Sequence, residues 1–381
     1  MIDLRMKSCC CGCGACSQIC PKQCITMVAD DEGFLYPQVN KDNCINCGLC
    51  EKVCHELNPY DAHNSLKVFA ALNKDEDIRL RSSSGGVFSL LSESIIKAGG
   101  VVFGARFDDN WQVIISYAET MDGVEAFMGS KYVQATMGTS YKDAEAFLKD
   151  GRKVMFSGTP CQIAGLHHYL RKPYENLLTV DVACHGVPSP KVWDKYLSEI
   201  TGDQRNAIRD IQFRNKENGW KHYSLVIDYL RKEKLMRESS FHKRNPYMKA
   251  FLKNMTLRPS CYDCKAKCGR SKSDITIADF WGIQNINPQM DDDKGTGLVI
   301  VNTEKGAGAI EFSKAHYHEE KYEDALKYNP ALEKSVSAHP KRETFFGKLD
   351  KSASVVKLIE KQLRPSLLVR VKHKIKKLLP S

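Results

Sequence analysis

No run of about 18 uncharged apolar residues occurs in this 381-residue chain, which excludes an ordinary membrane-spanning helix. An apolar leader is also missing: residues 1–8 already carry Asp3, Arg5 and Lys7 before the first cysteine, so a cytoplasmic protein is expected. There is no G-x-G-x-x-G stretch, which leaves a Rossmann-type NAD site without support. Acidic side chains are absent from residues 361–381, which hold seven Lys or Arg. The net charge of +10 is therefore mainly a property of the tail and leaves a nearly balanced body, so no nucleic-acid-binding face is indicated. Hydrophobic residues at 42% and charged residues at 27% describe a soluble globular chain, long enough for two or three domains.

What the chain has in excess is cysteine. Eleven of the sixteen fall within residues 9–54. Without an export signal, this density favours metal over disulfides. Cys10-x2-Cys13-x2-Cys16-x3-Cys20-Pro21 recurs as Cys44-x2-Cys47-x2-Cys50-x3-Cys54. This is the bacterial ferredoxin run, in which the fourth cysteine of each series serves the other cluster. Three thiolates two residues apart on a tight loop can each reach a different iron of one cubane. The fourth ligand must come from elsewhere. Cys10, Cys13, Cys16 and Cys54 are thus assigned to one [4Fe–4S] cluster, and Cys44, Cys47, Cys50 and Cys20 to a second. A pair of zinc sites is the competing account of Cys-x2-Cys spacing. His55 stands where a second proline would follow Cys54, and Cys9, Cys11 and Cys24 lie off the pattern, Cys24 being expected to pack as a small apolar residue.

Short strands at 25–28 and 34–37 complete a ferredoxin-type domain over 1–60. A polar linker at 58–65 leads into strand–loop–helix units. Strands are expected at 68–72, 101–105, 113–117, 153–156, 177–181, 208–213, 224–229 and 274–277. Helices are expected over 87–97, up to 170, from Pro188 or Pro190 onward, and near 247–254. The fold class is α+β / α/β: a ferredoxin-like module, an α/β flavin-binding body with mixed sheets, and a basic C-terminal helix.

Four further cysteines suggest a third centre. Cys161 and Cys184 each follow an expected strand, where an α/β sheet gathers its ligands, and Cys261-Tyr262-Asp263-Cys264 adds a pair. Taken singly, each is better explained as a buried core residue, and only their co-occurrence favours a cluster. Cys161 at a helix start also suits a nucleophile, zinc suits the set, and Cys268 is a substitute ligand. Clusters pass single electrons whereas most organic substrates take two, so the chemistry points to a flavin beside them. Ser83-Ser84-Gly85-Gly86 and Gly158-Thr159-Pro160 precede helices and offer N–H groups for phosphate, and Asp293-Lys294-Gly295-Thr296-Gly297 adds a basic loop.

Together, Ser84-Gly85-Gly86, Gly129-Ser130-Lys131-Tyr132-Val133-Gln134, Ser157-Gly158-Thr159-Pro160-Cys161-Gln162 and Cys184-His185-Gly186-Val187-Pro188-Ser189 carry a resemblance. So do Cys261-Tyr262-Asp263-Cys264 and Ser273-Asp274-Ile275-Thr276-Ile277-Ala278-Asp279-Phe280-Trp281-Gly282. The chain resembles the coenzyme F420 hydrogenase/dehydrogenase beta-subunit family over about residues 66–320, with the ferredoxin head as a common fusion. The resemblance implies an FAD-containing iron–sulfur oxidoreductase. It divides the body into an N-terminal-like domain at 66–150 and a C-terminal-like domain at 151–325. It favours Cys161, Cys184, Cys261 and Cys264 as ligands of a third [4Fe–4S] cluster. Ser84, Gly85, Gly86, Lys131, Tyr132, Gln134, Gly158, Thr159, Lys294, Gly295 and Thr296 become the expected flavin contacts.

Members of the family act on F420 or on other substrates, as the similar 7-hydroxymethyl chlorophyll a reductases do. Some bacterial relatives stand beside polysaccharide-synthesis enzymes, which suggests a cell-surface glycan role. The expectation is an oxidoreductase moving electrons between a ferredoxin-type or F420-like carrier and a two-electron substrate through FAD. His185 is the candidate for proton handling. The alternative is an electron-transfer subunit serving a catalytic partner. The tail at 361–381 alternates leucines with lysines and suits peripheral contact with an anionic inner-membrane face, or docking on the body.

Overall fold

The computed structural model describes residues 2, 6–202 and 204–364. Its thirteen strands are β1 (Ile25–Ala29), β2 (Leu35–Val39), β3 (Lys67–Asn73), β4 (Val101–Phe107), β5 (Val113–Ala118), β6 (Val154–Gly158) and β7 (Leu177–Val182). They continue as β8 (Ile208–Asn215), β9 (Ser224–Arg231), β10 (Lys234–Phe241), β11 (Ile275–Asp279), β12 (Gly297–Val301) and β13 (Ala315–Glu319).

In the head, β1 and β2 form an antiparallel hairpin. The carboxylate of Asp30 turns it by accepting from the N–H groups of Glu32 and Phe34. The duplicated cysteine run is duplicated in space. In each half a left-handed glycine (Gly14, φ 71°; Gly48, φ 73°) opens a short helix, Ala15–Ile19 or Leu49–Lys52, that carries the third cysteine. The positive φ explains glycine at both places, since a Cβ there would strain the backbone.

Eight strands of the body form one sheet in the order β13-β3-β12-β11-β7-β6-β4-β5. β11, β7, β6 and β4 are parallel and central, and the flanking pairs are antiparallel. Central strands covered on both faces read as continuous apolar runs, as Val154, Met155 and Phe156 do, all fully buried. The expected strands recur, most with one or two residues added and three of them shifted by one residue at the start, and β10, β12 and β13 join them. Strands from both sides of residue 150 share this sheet, so the division there runs through one layer. β8, β9 and β10 make a separate antiparallel sheet. It packs with the helices Pro190–Thr201, Pro246–Leu252, Arg342–Leu349 and Val355–Leu363 around Trp193, Phe213 and Tyr247. Pro190, not Pro188, occupies the first helical turn, where Ser189 caps the helix; Pro188 instead bridges to Leu257.

The head is docked on the body rather than tethered to it. Ala15 and Val53 enter the core formed by Phe103, Tyr141, Ile163 and Leu166. Gln18 Oε1 accepts from Tyr141 N at 2.9 Å, and Arg342 pairs with Glu32 while its Nε donates to Leu257 O. Among the described residues no helix is long and apolar enough to cross a membrane. Residues 365–381, with most of the basic tail and the expectation of membrane contact, lie outside the described residues.

Candidate metal centres and cofactor cavity

The first tetrad lies where head meets body. Cys10, Cys13, Cys16 and Cys54 are electrostatic neighbours. Burial raises the Cys16 thiol well above its ordinary value, and Cys13, Cys10 and Cys54 raise it further. Burial likewise pushes Cys54 to about 12, with Cys13 and Cys10 adding to the effect. Four crowded thiols, three of them held above their ordinary value chiefly by burial, are what a cationic metal core relieves, so the donor set fits a cubane. The body shapes this site closely. A Cβ on Gly165, in the helix Pro160–Leu170, would stand 3.0 Å from Cys13 Sγ, and one on Gly12 would stand 2.8 Å from Arg258 Nη1.

The second tetrad lies at the outer side of the head. Cys20, Cys44, Cys47 and Cys50 line one small cavity together with Cys24 and Val39. Cys47 is exposed, and so is Ile45 beside it, at 57%. Burial opposes ionisation of Cys20. Its contacts with the Cys24 N–H and thiol, and with the N–H groups of Lys22 and Gln23, bring its pKa down on balance. Cys24 is buried with its Sγ 3.4 Å from Cys20 Sγ, so it packs against the tetrad as a small apolar residue.

Half of the third set comes from the C-terminal ends of parallel strands and half from a 3-10 turn. Cys161 opens the helix after β6, whose start is fixed by Pro160 and by the reciprocal Thr159–Gln162 cap. Cys184 follows β7, and Cys261 and Cys264 come from the 3-10 turn Pro259–Asp263 and its end. Burial raises Cys184 to about 11 and Cys264 to about 12, and Cys261 rises well above its ordinary value; Cys161 pushes all three further, and Cys184 adds to the rise of Cys261 and Cys264. Val187 N lies 3.4 Å from Cys261 Sγ, the N–H-to-sulfur contact expected around an anionic cluster. Cys161 runs the opposite way, down to about 7, chiefly through Cys11 and against burial, with Thr159 and Arg258 assisting. Its surroundings are thiols, which suits a ligand better than a nucleophile. Cys268 stands apart, with its Sγ 3.4 Å from Glu333 O.

Cys11, off the spacing pattern, joins the first and third sets. It is buried, its carbonyl accepts from Gln134 Nε2, and the neighbouring Cys13 and Cys161 thiols, with burial, hold its own thiol well above the ordinary value. Its Sγ lies 3.1 Å from His55 Nε2, and His55 Nε2 lies 3.5 Å from Glu56 Oε1. Burial lowers His55 to about 4 and raises Glu56 to about 7. Sequence reasoning marked Cys11 and His55 as departures from the spacing but gave neither a role, and it passed over Glu56. The available signals were a third consecutive cysteine and a histidine in place of proline.

A cavity of about 610 Å³ opens on the same edge of the sheet, walled by Ser83, Phe107, Trp111, Gly129, Lys131 and Arg214 among others. Its size and mixed aromatic and polar lining are those of an organic-cofactor site. Arg214 is buried and pairs with Asp279 at 2.6 and 2.9 Å. It also donates to Tyr132 Oη and Ser83 O, and its Nε has no partner among the described groups.

The expected flavin contacts divide into two groups. Ser84, Gly85 and Gly86 meet Gly295 and Thr296: Ser84 Oγ donates to Thr296 O, a Cβ on Gly85 would strike Ala71 O, and Lys216 Nζ ties Ser84 O to Lys294 O. Lys131 and Tyr132 join this region through the Ser130–Ser83 contact. Gln134, Gly158 and Thr159 do not. Gln134 spans Cys11 O and Arg258, Gly158 packs on the Gln162 side chain, and Thr159 Oγ1 faces Cys161 Sγ at 3.2 Å. Lys131 and Lys294 wall or flank the cavity region with their ammonium groups already engaged, Lys131 on Ala126 O, Met128 O and Gly129 O and Lys294 on Glu76. His185 is outside the cavity lining. Its Nε2 lies 2.7 Å from Asn254 Oδ1, and its ring meets Phe251 edge-on. Phe251 stacks on Tyr132 at 4.8 Å, and Tyr132 Oη accepts from Arg214, so Tyr132, Phe251 and His185 form a chain of contacts from a cavity-lining arginine to the residue next to Cys184.

Residues 9–57 match the model of the 4Fe-4S dicluster domain, and residues 151–325 match that of the C terminus of the coenzyme F420 hydrogenase/dehydrogenase beta subunit. The chain carries that beta-subunit domain behind a dicluster head. The head is of the iron–sulfur dicluster type, and the body is similar to an oxidoreductase subunit. Among solved structures, a chain of the F420-reducing [NiFe] hydrogenase complex from Methanosarcina barkeri is similar over 79% of this chain and 90% of its own, at 15% identity and a TM-score of 0.46. No curated protein matches.

Proposed function

We propose that the chain is an iron–sulfur flavoprotein oxidoreductase that takes electrons from a one-electron carrier of the ferredoxin class and delivers them in pairs to an organic substrate. Cys20, Cys44, Cys47 and Cys50 would hold the entry cluster, Cys10, Cys13, Cys16 and Cys54 the next, and Cys161, Cys184, Cys261 and Cys264 the third. FAD in the 610 Å³ cavity would supply the step from one-electron to two-electron chemistry. The observation that supports this reading is the succession of three thiol sets inward from the exposed Cys47, with the buried Cys11 beside both Cys13 and Cys161 where head meets body. In this arrangement Arg214 orients the cofactor against Ser83 and Tyr132, and His185, fixed by Asn254, positions Cys184 and the aromatic path.

Anaerobic purification should yield about twelve irons, four per cubane, and one FAD. Cys261→Ala should remove roughly a third of the iron; an unchanged count would refute the third cluster. A second reading, an electron-transfer subunit for a partner enzyme, is favoured by the exposure of Cys47 and Ile45, a natural protein-docking point. If the reconstituted chain reduces no two-electron acceptor under dithionite but does so when its partner is added, the second reading holds. A role in cell-surface glycan assembly fits either reading and is tested by the substrate found.

A further inference from the structure

Among the described residues four arginines are buried: Arg79, Arg214, Arg258 and Arg342. Three pair with a carboxylate, Arg79 with Asp292, Arg214 with Asp279 and Arg342 with Glu32. Arg258 is the most enclosed, at 0% exposure, and makes no ion pair among the described residues. Its fork is nevertheless fully directed. Nε donates to Cys10 O at 2.7 Å, Nη2 to Leu35 O at 2.8 Å, and Nη1 to Gln134 Oε1 at 2.9 Å, with Nη2 also 3.5 Å from Cys10 Sγ. The guanidinium lies over the Tyr36 ring at 4.3 Å. Glu56 and the Cys161 thiol lie within Coulombic reach of it but neither pairs with it directly, and a cation this deep without a paired counter-charge is costly. The missing anion is at hand, because four thiolates outweigh the positive core of a cubane and leave the loaded site negative.

We propose that Arg258, contributed by the body, is the counter-charge of the inner cluster (Cys10, Cys13, Cys16, Cys54) and sets its reduction potential above that of the outer cluster. Reduction adds negative charge beside the guanidinium, and the low-dielectric surroundings strengthen that attraction. No buried cation faces the outer set among the described residues; Lys22, which lines its cavity, sits at the surface, where water and salt screen it. The difference draws electrons inward, toward Cys11 and the third set. The inference rests on the two-cubane reading of the head and adds the direction of flow.

The test is a redox titration of the anaerobic full-length protein followed by electron paramagnetic resonance. The inner midpoint is identified as the one that vanishes in Cys16→Ala. Arg258→Met should make the inner cluster at least about tenfold harder to reduce, a shift of about 59 mV for a one-electron couple, and leave the outer midpoint in place. Arg258→Lys should stay within about twofold of the parent. If the methionine variant holds no inner cluster, Arg258→Gln is compared with Arg258→Lys, and the glutamine variant should be the lower by about tenfold. Equal midpoints in charged and uncharged variants, or loss of the inner cluster in all three, would overturn the proposal in favour of a purely structural role. A parent protein without iron or signal would instead sink the cluster reading itself.

Discussion

The two halves of the head have the same cysteine spacing, the same left-handed glycine and the same short helix, yet they live in different surroundings. The inner tetrad is closed by the body: Gly165 admits Cys13, Arg258 covers Cys10, and Ala15 and Val53 are wholly buried beside it. The outer tetrad is held by the head alone and presents Cys47 to solvent. Identical cysteine spacing therefore makes similar loops, while packing gives them different surroundings, one at the surface and one enclosed. Even the thiols differ, since burial and neighbours raise Cys16 and Cys54 whereas backbone N–H groups help to lower Cys20.

The sharpest way to break this comparison is to remove one ligand from each half. Cys54→Ala should destroy the inner cluster, loosen the head–body joint and lower the melting temperature. Cys47→Ala should lose a cluster but keep the joint and the melting temperature nearly intact, because binding energy at an interface is also folding energy. Equal melting losses, followed by anaerobic calorimetry with iron counts, would mean that the two sites are not structurally distinct.

A smaller effect is expected at the clamp. Arg342→Ala leaves Glu32 without its cation and should cost about 2 kcal/mol in denaturant unfolding, with faster loss of inner-cluster iron to a chelator and no change in the outer rate. The smallest contrast is between two glycines. Gly165→Ala pushes a methyl against Cys13 Sγ and Tyr141 Oη and should cost about 1–3 kcal/mol by overpacking while slowing electron passage from the inner to the third set. Gly48→Ala meets nothing within 4 Å and should cost only about 1 kcal/mol, from its left-handed backbone. Rapid-mixing reduction of the third set distinguishes them, because only the first should slow.

Much of this was legible from residue order. Spacing identified both tetrads because ferredoxin ligands are local in sequence, apart from the exchanged Cys20 and Cys54. Strands such as β6 and β7 were legible because burial on both faces demands apolar runs. β13 was not, since four of its five residues are exposed at the sheet edge and no apolar alternation marks them. The lysine-bearing loops were read as basic contacts for a cofactor, but a lysine's sequence position does not say whether carbonyls of its own turn will take the ammonium, as they do at Lys131.

The order of residues by itself determined the two ferredoxin loops, the α/β body and the family to which its motifs point, because hydrophobic period, turn chemistry and ligand spacing act over a few residues. Only the tertiary structure decided that Cys11 joins head to body, that Arg258 stands beside Cys10 without a carboxylate partner, and that one tetrad faces solvent while its twin is enclosed. Those facts depend on contacts between residues up to 248 positions apart, as from Cys10 to Arg258, and burial and charge acquire their meaning only when such distant segments meet.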